Sequence, residues 1–146
     1  MIVQTIQLAL TPVFVLVAIG NILNILSTRL GRVVDRARML QKRFAETEGG
    51  EHDLIVREIR LIDRRIRIIT RAIKLMVMSA LAIGSTVAVL FLQGLVGYDL
   101  TVLAAVLFLA SIVLLLSGLV LFLRETQVAA EALMVPADFL ELHRNI

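Results

Sequence analysis

The chain has 146 residues, of which 59% are hydrophobic, 18% charged and 5% aromatic, and its mean hydropathy is +0.92. Soluble domains run at about 45–50% apolar and about 25% charged, so this composition excludes a soluble globular enzyme and a disordered chain alike. The charge is segregated too: residues 29–74 hold 13 of the 15 Lys and Arg and 7 of the 12 Asp and Glu, a net +6, while the remainder carries −3. Neutral apolar stretches flanking a compact charged block describe a membrane protein. The absence of cysteine removes disulfide scaffolds, thiolate catalysis and Cys-ligated metal centres. An isoelectric point of about 10.2 would suit nucleic acid, yet the basic residues lie between apolar spans with no interleaved aromatic platform. Anionic lipid headgroups are the expected partner, and nucleic acid is not.

The first 27-residue run, Ile2 to Thr28, has no charged side chain. As a helix it would extend about 40 Å, enough to cross a hydrocarbon layer of about 30 Å. It lacks the basic n-region and the small-x-small cleavage site of a signal peptide, and it exceeds the usual apolar core of about 7–15 residues. The expectation is a retained transmembrane helix over 2–28. Further neutral runs cover Leu75 to Tyr98 and Leu100 to Leu123, separated by the glycines and carboxylate of Gly94-Leu95-Val96-Gly97-Tyr98-Asp99. Asp99 would be costly at the bilayer centre, so the chain is expected to turn there, giving spans over 75–93 and 100–123. Arg29, Arg32, Arg71, Lys74 and Arg124 sit at one end of these spans, and the 94–99 turn has no basic residue. The positive-inside rule then puts the N-terminus and the tight turn outside, and the charged block and C-terminus in the cytoplasm.

Residues 29–74 are not patterned as a solvated loop. Apolar residues recur at Ile19, Leu23, Leu26, Leu30, Val33, Ala37, Leu40 and Phe44, and again at Ile55, Ile59, Ile62, Ile66, Ile69, Ile73, Met76 and Ala80, alternating spacings of 4 and 3. This is a heptad seam. Folding the arms about Gly49-Gly50 brings together residues whose numbers sum to 99, such as Ala37 with Ile62 and Leu30 with Ile69. The expectation is a cytoplasmic antiparallel coiled-coil hairpin continuing spans one and two. Flanking it, Arg43 and Glu58 are placed to pair across the seam. Arg36 and Arg65 oppose each other and call for screening, or for an acidic partner between them. With Arg29, Arg32, Arg64, Arg67, Arg71, Lys74 and Arg124 they form a basic collar facing headgroups or a partner.

Chemistry-bearing residues are few. Asn21 and Asn24 share one face of the first span near Gly20, Ser27 and Thr28, and amides in hydrocarbon demand partners. They read as intramembrane polar packing, or as part of a pore with Gln4, Gln7, Thr11 and Thr28, although these positions do not all share one face. Pro12 is expected to kink the first span. Ser79, Gly84, Ser85, Thr86, Ser111, Ser117 and Gly118 read as close-packing positions, with no nearby base to activate a serine. His52 and His143 read as solvated surface. The tail, 124–146, carries a net −2 and is expected to prolong the third span, turn at Pro136, and dock on the basic hairpin or the headgroups.

Leu10-Thr11-Pro12 opening the first span, the aliphatic run to Thr28-Arg29-Leu30, the Arg-rich stretch to Arg43 and the hydrophobic pair that follows resemble a bacterial family of small membrane proteins, domain of unknown function family 2721. The resemblance covers most of the chain. It implies a bacterial inner-membrane setting and carries over no activity, cofactor or catalytic residue. The expected protein is therefore all-α, a single membrane domain and not an enzyme, without metal or cofactor. It would act by helix packing with itself or within a larger membrane assembly; a homo-oligomeric channel lined by the first span is the alternative.

Overall fold

The computed structural model of the chain describes residues 2–132. They form three helices, α1 (Ile2–Phe44), α2 (Gly50–Val96) and α3 (Thr101–Ala132), each long and apolar enough to cross a membrane. At 1.5 Å per residue, α1 and α2 reach about 65 and 70 Å and α3 about 48 Å. The first two are about twice the thickness of a hydrocarbon layer. No break falls at Thr28-Arg29 or at Arg71–Lys74, because the 4-3 apolar spacing runs unaltered through both places. α1 also runs on through Pro12, which is buried.

The ends follow local chemistry. Lys42 and Arg43 occupy the last turn of α1, where cations suit the helix dipole. The Thr47 hydroxyl donates to the Arg43 carbonyl at 3.0 Å. Gly49 turns the chain at φ 70, a conformation that disfavours any residue with a Cβ, and Glu51 and Asp53 follow in the first turn of α2. His52 is not simply solvated surface: its ring centroid lies 4.4 Å from that of Phe44, and Nδ1 lies 3.1 Å from the Thr47 carbonyl oxygen. Histidine and phenylalanine together close the tip.

At the other turn, α2 continues past Gly94 through Leu95 and Val96. It ends where Gly97 adopts the left-handed conformation at φ 77 and donates its N–H to the Gln93 carbonyl at 3.1 Å, a common way of ending a helix. The Thr101 amide donates to Asp99 Oδ1 at 3.0 Å. Hydrogen bonding from the Thr101 side chain and amide holds the Asp99 carboxyl below its ordinary range.

α2 is central, packing on α1 along one side and α3 along another, whereas α1 and α3 barely meet. The apolar residues picked out on the two arms fall into one core, with Ile19, Leu26, Val33, Leu40, Ile62, Ile69 and Met76 buried and Leu23, Leu30, Ala37, Ile59, Ile66 and Ile73 packed beside them. The α2–α3 contact uses smaller residues. A Cβ on Gly118 would lie 3.0 Å from Met76 Cε and 3.3 Å from its Cγ, and the buried Ser79 hydroxyl donates to the Ser111 carbonyl at 2.7 Å. Within lipid, where no hydrophobic force draws helices together, close backbone approach and interhelical hydrogen bonds take over. Gly84, Ser85 and Ser117 face outward instead.

Candidate functional site

α3 carries the chain beyond the end of the third apolar run and brings Glu125 against the other two helices. The Glu125 side chain is fully buried. Its Oε2 accepts a hydrogen bond from Arg29 Nη1 at 2.7 Å, and its Oε1 accepts from Arg65 Nη2 at 2.9 Å and Nε at 3.2 Å. Arg29 also donates to Thr126 Oγ1 at 3.2 Å, and its guanidinium carbon lies 5.0 Å from the Phe122 ring centroid. One carboxylate thus ties all three helices at the edge of the apolar zone.

The acidic balance of the tail had pointed to such docking, but not to this residue. The signal available is the opposition of Arg36 and Arg65, which solvent screening, a lipid headgroup or an acidic partner can relieve. For Arg65 the partner is Glu125. Arg36 pairs with Glu58, whose Oε1 accepts from Nε at 2.8 Å and Nη2 at 2.7 Å. The expected Arg43–Glu58 pair is therefore not formed, because Arg36 takes the carboxylate once Arg65 is drawn to α3. Pro136, Asp138, Glu141 and His143 lie outside the described residues.

The rest of the collar divides. Arg67 pairs with Asp63 one turn away at 2.6 Å, both side chains largely exposed. Arg32 and Lys74 are exposed. Arg64, Arg67, Arg71 and Arg124 converge on a cleft of about 500 Å³ between α2 and α3. Among the described residues, no acidic group lies within ion-pair distance of Arg64, Arg71 or Arg124.

Asn21 and Asn24 point away from α2 and α3. Both are exposed, as are Gly20, Ser27, Thr28 and Gly31 on the same side of α1. The Thr28 hydroxyl donates to the Asn24 backbone carbonyl at 3.0 Å, and neither side-chain amide meets a partner among the described residues. Gln4, Gln7 and Thr11 are exposed nearer the N-terminal end of α1. Gln4 opens onto a groove with Gln93 and Asp99, away from the two asparagines.

Helices of this length and apolarity, with their arginines gathered at one level, define an all-helical, multi-pass membrane protein. The chain belongs to the family described as Protein of unknown function (DUF2721), whose sequence profile matches residues 9–135. The match begins in the N-terminal part of α1 and takes in α2 and α3, in agreement with the resemblance carried by Leu10-Thr11-Pro12 and the Arg-rich arm. No curated protein and no solved structure matches the chain.

Proposed function

We propose that this protein is a non-enzymatic structural or accessory component of the bacterial inner membrane, acting by helix packing with copies of itself or as a subunit of a larger complex. The observation that carries this is the outward amide face of α1. Asn21 and Asn24 lie in a charge-free 27-residue run and are exposed, with no side-chain partner among the described residues. In hydrocarbon such groups are satisfied by another helix, and Gly20, Ser27 and Gly31 beside them permit close approach.

The cytoplasmic part of the reading is an antiparallel coiled coil, with N-terminus outside and C-terminus inside. Burial supports the register. In the layers Leu40–Ile59, Val33–Ile66 and Leu26–Ile73 the α1 residue is buried and the α2 residue half-buried; in Ala37–Ile62, Leu30–Ile69 and Leu23–Met76 the roles reverse.

A photo-reactive side chain at Ser27 is expected to cross-link α1 to a protein in native membranes. The same group at Val106, on the exposed face of α3, is expected to reach lipid alone. A monomer across a range of mild detergents by native mass spectrometry, with no protein cross-link at Ser27, would overturn the proposal. The same amides admit a channel lined by α1 as a second reading. Planar-bilayer recordings of wild type and Asn21→Leu/Asn24→Leu separate the two, since identical or absent conductance excludes a pore.

A further inference from the structure

Four arginines that take no part in the Glu125 and Glu58 ion pairs are gathered in one cleft. Arg29 and Arg65 are committed to Glu125 and Arg36 to Glu58, while Arg64, Arg67, Arg71 and Arg124 line the cleft between α2 and α3. Asp63, on Arg67, is the one carboxylate paired with this group among the described residues. The floor of the cleft is apolar, formed by Ile68, Leu121 and Val128. Directly against it lies a second groove of about 470 Å³ that shares Leu121 and Arg124 and runs along α3 past Val120, Leu116 and Val113. The spacings 64, 67/68, 71, 75 on α2 and 113, 116/117, 120/121, 124 on α3 keep both grooves on one face of the helix pair. A cationic cleft therefore adjoins a shallow apolar groove that follows α3 along its apolar run.

We propose that this continuous surface binds an anionic phospholipid with two phosphates, the headgroup held by the four arginines and an acyl chain laid along α3. Planar guanidinium groups match phosphate oxygens in bidentate geometry. A two-phosphate headgroup matches a row of cations whose anchoring positions on α2, Arg64 and Arg71, lie about 10 Å apart along the helix. A free phosphate would use the cleft and leave the apolar groove empty; a phospholipid uses both. The proposal rests on the membrane placement given above, with this end of the spans at the headgroup level. It does not depend on whether the protein self-associates.

The test is native mass spectrometry of the full chain, titrated with diphosphatidylglycerol, phosphatidylglycerol, phosphatidylcholine and inorganic phosphate. Protein mass and bound-lipid mass are read separately, so a monomer that binds lipid sinks the self-association reading without touching this one. Diphosphatidylglycerol is expected to bind most tightly. Its affinity is expected to fall by at least about tenfold in Arg64→Gln/Arg71→Gln/Arg124→Gln. The matched variant Arg38→Gln/Arg57→Gln/Arg60→Gln, which removes the same charge from exposed positions outside the cleft, is expected to retain wild-type binding. Leu116→Trp, which fills the apolar groove, is expected to weaken lipid binding with the arginines intact. Equal losses from the two arginine triples would reduce the site to a diffuse collar. Displacement of lipid by inorganic phosphate, or unchanged binding in the cleft triple, would overturn it outright.

Discussion

Glu125 is a buried carboxylate shared by two arginines whose side chains are 36% and 24% exposed, and that asymmetry sets the consequences of mutation. Removing the carboxylate leaves two cations that reach water, so Glu125→Gln is expected to cost about 1–3 kcal/mol. Removing both arginines leaves the carboxylate buried and unpaired, and Arg29→Ala/Arg65→Ala is expected to cost about 3–5 kcal/mol. Reversible unfolding in mixed micelles orders the two; the opposite order would show that Glu125 is solvated. Deeper in the bundle, Ser79→Ala is expected to cost only about 0.6 kcal/mol, the typical worth of an interhelical hydrogen bond in a membrane protein. Gly118→Val is expected to cost more, about 1–3 kcal/mol, because the contact with Met76 includes Cγ near the helix backbone and not just the mobile Cε. Equal melting shifts for the two variants would contradict this close approach.

At the scale of elements, the paired arms are the part most open to direct chemistry, since the chain has no cysteine of its own. Cysteines replacing Ala37 and Ile62 are expected to form a disulfide, which needs a Cα separation under about 7 Å. Cysteines replacing Asp35 and Arg64 satisfy the same numerical register but are exposed, and they are expected not to bridge. Equal bridging of both pairs, or of neither, would show that the arms do not meet along this seam. Ile62→Asp puts a charge into the core and is expected to part the arms while the spans stay inserted, because apolar length alone decides insertion. The turn between α2 and α3 has its own pH response. Asp99 titrates below its ordinary value of 3.8, so its ionised form favours the folded turn. That contribution is present above about pH 4 and is lost as pH falls through the lowered value; the Asp99 carboxyl resonance is expected to show the lowered midpoint in wild type and a smaller lowering in Thr101→Val, which loses the hydroxyl and keeps the amide donor.

For the whole molecule, the gathering of basic residues at one end of the spans predicts sidedness. A cysteine replacing Tyr98 in the outer turn is expected to react with a membrane-impermeant maleimide in intact cells. One replacing Glu48 at the hairpin tip is expected to react only after the inner membrane is opened. The reverse pattern would invert the topology. The bundle itself is asymmetric: α2 is covered on two sides, while α1 is covered by α2 alone along most of its length. α1 is thus the helix with most surface to offer a partner, and it carries the two asparagines.

The three long apolar helices, the hairpin turn and the apolar stripe joining the arms are legible in the sequence. Each of these rests on local quantities: uninterrupted apolar length, the 4-3 spacing from Ile19 to Phe44 and from Ile55 to Ala80, and glycines that adopt positive φ at positions 49 and 97. The exact end of α2 was less legible, since Gly94 is tolerated inside a helix when Leu95 and Val96 continue it. Only the tertiary structure decided which charges meet. Glu125 lies 60 residues from Arg65 and 96 from Arg29, and no periodicity links α3 to the arms, whose own apolar repeat is complete without it. The same placement of α3 released Arg36 to Glu58 and left Arg64, Arg71 and Arg124 around an open cleft. Pairing between distant side chains depends on the rotation of one helix against another, and that rotation is set by how Ser79, Ser111, Gly118 and Met76 let α2 and α3 close.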